Sequence, residues 1–388
     1  MNDTPITVMA LGGAGCRIMK VFAGQSLAGN FRLLAVDSDE ASLRESGLPP
    51  ENTLQAGRLL RSGQGCGGDV IAGQQALANE RKELNRLLAG SRVLIVVAGL
   101  GGGLATGGMS VVLGVASKMR IASAVLATLP FSMEGYRRRH LAEEKMKSDI
   151  LPIADAVVAL PNDLLFSTLD AETSMTEAFD LSDREIARSL LAIASILGGG
   201  NLFSADFASF TGVLKRRHTL CAFGTALVEN GENAPDEAMA KMLASPLLGG
   251  PGSIDAADVA AFSLLGGPEL SMGQARAVLD LCSRQIAPDS DKTILLGAAA
   301  EEMMRGRIQL SVLTVRYLDA LPSAVAGHRH GHRHPAEDGG EGSGQMTLPN
   351  LIVENKGIME NTAPVMLDGE DLDVPTFKRR GKVIDTGR

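Results

Sequence analysis

Short, nearly continuous apolar runs alternate with helical patterns through the first half of the chain. Ile6–Leu11, Leu33–Asp37, Val93–Gly99, Ala124–Leu129 and Ala156–Leu160 read as strands. Runs with so few polar positions suit strands covered on both faces, as in a parallel sheet flanked by helices. Polar or glycine-rich turns follow: Gly12-Gly-Ala-Gly15, Asp37-Ser-Asp39, Gly101-Gly-Gly103 and Pro161-Asn-Asp163. Ligands of open α/β sheets bind outside the carboxyl ends of the strands, so these turns are expected to converge on one site.

The most informative turn is Ala98-Gly-Leu-Gly-Gly-Gly-Leu-Ala-Thr-Gly-Gly108, between Val93–Val97 and the apolar stretch Met109–Met119. Strand, glycine loop and helix in that order form a phosphate cradle. Glycines let the backbone approach an anion, and the free N–H groups of the helix point at it.

A long helix follows. Ser174 and Glu177 have capping-box spacing, and Ile186, Leu190, Ile193 and Leu197 keep one face apolar up to Gly198-Gly-Gly200. Beyond it, Leu220–Val228 and Ile308–Tyr317 read as strands, with helices near Glu237–Leu243 and Met272–Gln285. The expected class is α/β, with a second, smaller α/β domain after the long helix.

The pattern breaks after Pro322. Gly327-His-Arg-His-Gly-His-Arg-His334 is low in complexity and Ala336–Gly344 is acidic and glycine-rich, so the stretch to about Glu370 reads as a disordered linker. The tail Asp371-Leu-Asp-Val-Pro-Thr-Phe-Lys-Arg-Arg380 combines apolar anchors with a basic cluster, which suits docking into a partner's groove.

Composition narrows the classes. The chain has 388 residues and 45% hydrophobic residues, enough for two domains and a sizeable core. A net charge of −8, with 3% aromatics and no Trp, argues against a nucleic-acid surface. Cys16, Cys66, Cys221 and Cys282 are scattered without metal spacing, which fits a reducing cytoplasm. Asp3 stands where a signal peptide would be basic, and no apolar run is long enough to span a bilayer. No metal site of the protein's own is expected.

Taken in order, these motifs resemble the FtsZ/tubulin family of filament-forming GTPases, from about Ile6 to Tyr317 and again at the tail. Gly12, Gly13, Ala14, Gly15 and Cys16 resemble the family's first phosphate loop, with Arg17 at the position of its usual Asn. Asp39 lies in the segment similar to the second loop, and Gly67 and Gly68 in that similar to the third, which faces the γ-phosphate. Gly101, Gly102, Gly103, Ala105, Thr106 and Gly107 occupy the signature glycine loop. The resemblance implies that Glu134 holds ribose hydroxyls and Arg138 faces phosphate. It also implies a guanine pocket of Asn162, Phe179 stacking on the base, and Asp183 accepting from guanine N–H groups. Phe203–Ser209 is similar to the acidic loop that completes hydrolysis, which implies catalytic roles for Asp206 and for position Ser209. Leu372, Asp373, Val374, Pro375, Phe377, Arg379 and Arg380 are similar to the tail that binds membrane adaptors.

The implied architecture is the tubulin/FtsZ fold: a GTP-binding domain at 1–181, central helix and synergy loop at 182–204, C-terminal α/β domain at 205–320, linker at 321–370 and tail at 371–388. The implied ligands are GTP/GDP and Mg²⁺. The implied partners are further copies of the chain and an FtsA-like, membrane-anchoring division adaptor, so that membrane contact is indirect and the protein works in the cytoplasm at midcell.

Asp183 and Asp206 are separated by roughly 20–25 Å of helix. An acidic loop so far from the base reaches only a neighbour's nucleotide, which is a head-to-tail contact and builds open filaments.

The chain departs from the family pattern at several positions. Leu104 and Ala105 replace Thr and Gly in the signature loop, and Ala105 would be strained if that position needed a positive φ. Arg17 would add a cation near phosphate. Asp37 replaces an Asn, and Ser204 and Ser209 replace an Asn and an Asp, which points to slow hydrolysis. A nucleotide-binding scaffold without turnover is the nearest alternative. A nicotinamide-dependent oxidoreductase fits less well, because the third glycine of its fingerprint would fall at Ile18.

Overall fold

The structure is a computed structural model describing residues 6–58, 65–166, 169–170, 172–197, 219–249, 252–285, 292–317, 366–367 and 370–371. Met1–Gly331 forms one compact unit and His332–Arg388 another. In the second unit, Met366–Leu367 pairs antiparallel with Glu370–Asp371.

The first unit begins with strands β1 (Ile6–Leu11), β2 (Arg32–Asp37), β3 (Thr53–Gln55), β4 (Val93–Gly99), β5 (Ala122–Leu129) and β6 (Ala156–Pro161). Their spatial order is β3-β2-β1-β4-β5-β6, all parallel. This is the doubly wound arrangement, whose order reverses beside the first strand and opens a crevice at the strand ends. β1 and β5 are buried at every residue, as their nearly continuous apolar character requires, Thr7, Ser123 and Thr128 included.

The sheet does not stop at β6. It continues through β7 (Thr219–Glu229), parallel to β6, then β10 (Arg307–Tyr317), β8 (Val259–Gly266) and β9 (Thr293–Ala300). β10 runs antiparallel to both neighbours. The expected first and second domains are thus hydrogen-bonded along a single ten-stranded sheet. β3, β8 and β9 have no counterpart among the sequence-based strands. β3 is only three residues long, and the alanine-rich runs of β8 and β9 suit helix as well as strand until a neighbour pairs with them.

Four helices shape the site. α1 (Gly12–Ala23) and α3 (Gly103–Lys118) start directly at the glycine turns, and α2 (Val70–Asn79) packs beside α3. The long helix, α4, runs Met175–Leu197, directly after Ser174, the residue at which the capping spacing places its entry. Its entry has one half of the anticipated capping box: Glu177 N–H donates to Ser174 Oγ at 3.2 Å. Ile186, Leu190 and Ile193 are buried in the main core with Val8 and Val97 of the sheet. None of the described helices is long and apolar enough to cross a membrane.

Candidate functional site

The carboxyl ends of β1, β2, β4, β5 and β6 surround a cavity of about 740 Å³. Two helix N-termini open onto it, those of α1 at Gly12 and α3 at Gly103, where N–H groups without intrahelical partners favour an anion, although the Gly103 N–H itself donates to the Gly67 carbonyl at 2.8 Å. Gly12 holds φ +81° and Gly65 φ +81°, left-handed conformations that favour glycine at these turns. Ser38 ties the second and third loops together by accepting from the Cys66 N–H at 3.0 Å.

Most of the expected nucleotide residues meet here. Gly12, Gly13, Ala14, Arg17, Asp39, Gly67, Gly102, Gly103 and Ala105 line the cavity with Glu134, Arg138, Asn162, Phe179 and Asp183. Gly15, Cys16, Gly68, Gly101, Thr106 and Gly107 lie outside its lining, for reasons visible in the packing. A Cβ on Gly15 would stand 2.5 Å from the Val97 carbonyl, so that glycine lets α1 lie close on β4. Cys16 is fully buried, and burial pushes its thiol well up, leaving it an inert packing group. Gly68 is exposed. Thr106 Oγ1 accepts the Gly101 N–H at 2.7 Å, so its hydroxyl braces the loop from inside. A Cβ on Gly107 would overlap the Val70 carbonyl on the neighbouring helix α2.

Ala105 is not strained. It lies in the first turns of α3 with an ordinary helical backbone; Arg120 is the only non-glycine with positive φ among the described residues. The conditional penalty at this position therefore does not arise.

Glu134 and Arg138 form a brace rather than a loose helix pair. Glu134 Oε1 accepts the Phe131 N–H at 3.0 Å, and its Oε2 meets Arg138 Nη1 at 2.8 Å. Arg138 Nε donates to the Gly101 carbonyl at 3.1 Å, which holds the glycine loop. Phe179 stands edge-on to buried Phe131, ring centroids 5.1 Å apart. Asn162 has a buried Oδ1 without a hydrogen-bond partner among the described residues, an acceptor placed in the cavity lining.

Arg17 is not left free for phosphate. Its Nε donates to Asp183 Oδ2 at 2.9 Å. Burial raises the Asp183 carboxyl above its usual range, and Arg17 pulls it back down. Asp37 is 5% exposed, and burial raises its carboxyl too, against the Asp39 and Ser38 N–H groups that bond it.

The lining also includes residues not singled out from sequence, among them Glu45, Thr176 and Asp180, and Ile186, which was expected only on the buried face of the helix. Thr176, Phe179, Asp183 and Ile186 follow the helical period, and that signal could have found the flanking two. Among the described residues, six carboxylates line the cavity with two arginines, each arginine paired to one carboxylate. With these side chains net negative, backbone N–H groups are the protein's own means of attracting an anion here. Asp206, Ser209 and the tail residues Leu372, Asp373, Val374, Pro375, Phe377, Arg379 and Arg380 lie outside the described residues, as does Ser204.

The site's surroundings match known proteins. An empty FtsZ dimer from M. jannaschii superposes with a TM-score of 0.73 at 24% identity, over 84% of this chain and 95% of that one. A point mutant of FtsZ from M. jannaschii gives 0.71 at 25% identity, over 80% and 91%. A GTPγS-bound protofilament of CetZ2 from Haloferax volcanii gives 0.62 at 23% identity, over 80% and 92%. Residues 5–170, which carry the glycine loops and most of the cavity, match the GTPase domain of the Tubulin/FtsZ family, and the chain has the Tubulin/FtsZ fold.

Proposed function

We propose that the protein is a filament-forming GTPase of bacterial cell division that polymerises head to tail into a cytokinetic ring and hydrolyses GTP, slowly, at subunit interfaces. The cavity carries this reading. Two helix N-termini and a set of glycine turns face an aromatic ring, Phe179, and a carboxylate, Asp183, on the long helix. In this reading the turns serve as the polyphosphate cradle and the long-helix residues as the base pocket of one cavity. Mg²⁺ would enter with the triphosphate.

Helix length supports assembly. From Asp183 to Leu197 the helix rises about 21 Å, so the acidic segment beyond it serves a neighbour's nucleotide. That one relative was solved as a dimer and another as a protofilament supports self-association. The tail's apolar and basic residues support docking to an FtsA-like adaptor, which would hold the filament at the membrane at midcell from the cytoplasm.

A nucleotide-bound scaffold without turnover is the second reading, favoured by Ser204 and Ser209 where the family carries an Asn and an Asp. Phosphate release and light scattering, followed together across protein concentrations with GTP and Mg²⁺, separate the two. Release that rises with scattering above a threshold supports hydrolysis within filaments, and Ser209→Asp should then raise it. Scattering without release supports the scaffold. Neither signal refutes both.

A further inference from the structure

Asp163 stands 31 positions from Ser132, in the turn after β6, and its Oδ1 accepts both the Ser132 N–H at 3.0 Å and the Ser132 hydroxyl at 3.1 Å. Its Oδ2 pairs with Arg139, whose Nε donates to Glu143 at 3.0 Å. One carboxylate therefore joins the turn after β6, the turn after β5 and the helix Tyr136–Lys145. Asp163 and Ser132 lie outside the cavity lining, while Asn162 and Glu134, close to them in sequence, are part of it.

The tie falls on a segment that has little else to hold it. Ser132–Glu134 is a single tight turn between buried Phe131 and Gly135, which sits at φ +104°. Met133 is 64% exposed and gives the turn no buried anchor. Glu134 hangs on this turn. Its Oε1 accepts the Phe131 N–H and its Oε2 meets Arg138, and each oxygen keeps a second lone pair. Two such acceptors side by side suit two adjacent hydroxyl donors, the diol of a ribose. We infer that Asp163 is a positioning residue for the sugar: it moors the Ser132–Glu134 turn so that the Glu134 carboxylate meets the ribose hydroxyls, without itself touching the nucleotide. The geometry of a polar contact is lost when its supporting bonds are, and a turn closed only on itself would let the carboxylate move. Consecutive arginines on the helix divide the work, Arg138 holding Glu134 and the Gly101 carbonyl while Arg139 holds Asp163.

This inference rests on the GTP-binding reading, and its test separates the two. Full-length protein freed of nucleotide is titrated calorimetrically with GDP and with 2′,3′-dideoxy-GDP, which lacks both ribose hydroxyls; diphosphates keep hydrolysis out of the readout. The wild type should prefer GDP by about tenfold or more, the size of one hydrogen bond to a charged acceptor. Asp163→Ala should cut that preference to within about threefold by weakening GDP, and leave dideoxy-GDP nearly unchanged. Asp163→Asn keeps the Oδ1 acceptor for Ser132 and should restore most of the preference. Ser132→Ala removes the hydroxyl from the same tie, should narrow the preference partway, and serves if Asp163→Ala does not fold. In a Glu134→Ala background Asp163→Ala should change the preference no further, because one residue acts through the other. Affinities for both nucleotides that fall together in Asp163→Ala, or a preference equal to that of the wild type, overturn the inference. A wild type that binds GDP without preferring it also overturns the inference and leaves nucleotide binding intact. Absence of GDP binding by the wild type overturns the nucleotide reading as well.

Discussion

Gly12 and Ala105 meet across the cavity floor: a Cβ on Gly12 would stand 3.1 Å from the Ala105 Cβ, on a backbone at φ +81°. The turn after β1 is therefore set by the helix after β4. Ala105→Gly should lower stability by about 0.5–1 kcal/mol, because it removes helix propensity and relieves no strain. Gly12→Ala should cost at least about 1–2 kcal/mol for its backbone alone. Adding Ala105→Gly should recover only the contact. Urea unfolding of the singles and the double checks this, and full recovery in the double would disprove a backbone cost.

Two glycines of the same helix should respond in opposite ways. Gly107 has no room for a Cβ against the Val70 carbonyl, whereas Gly114 has nothing within 4 Å of that position. Gly107→Ala should force α3 off α2 and destabilise by about 2–3 kcal/mol or more, as overpacking does. Gly114→Ala should stabilise by about 0.5–1 kcal/mol. Melting temperatures of the two variants decide it.

The buried Asp37 gives a pH dependence with a definite sign. Burial raises its folded-state pKa above the unfolded value, so the folded chain binds more protons between those values. Stability then falls as pH rises through that window, and the cost persists above it. Asp37→Asn keeps the Oδ1 that accepts the Ser38 and Asp39 N–H groups at 2.6 and 3.2 Å. It should be more stable than wild type at pH 7, with the difference shrinking toward acid pH. Removing the charge should also tighten triphosphate binding, because Asp37 is one of the carboxylates lining the cavity. Unfolding curves against pH, with binding at pH 7, test both parts.

Arg138 should matter for binding more than for folding. Its side chain is half exposed, so loss of its ion pair with Glu134 should cost under about 1 kcal/mol. Its bond to the Gly101 carbonyl holds the glycine loop in shape. Arg138→Ala should weaken GTP about tenfold with a nearly unchanged urea midpoint. A midpoint that falls together with the affinity would show a structural role instead.

Local patterns carried much of the fold. Ile6–Leu11 and Val93–Gly99 form strands at the predicted bounds, and the glycine turns at Gly12 and Gly103 begin helices, because apolar period and turn chemistry act over a few neighbouring residues. The long helix was readable from its apolar face and from Ser174.

Contacts between distant segments were not readable in this way. Whether β8 and β9 form strands depends on β10 pairing with β8 and β8 in turn with β9, and a run such as Val259–Gly266 holds no local sign of it. The roles of the signature glycines divided in the same manner: Gly102 and Gly103 line the cavity, whereas Gly107 yields space to α2. Arg17 looked like a cation for phosphate by its place in the first loop, and the packing of α1 against the long helix brought it to Asp183 instead. Chemistry within a turn is written in adjacent residues. The partner of a side chain is set by which elements pack together, and that follows from burying the whole core at once.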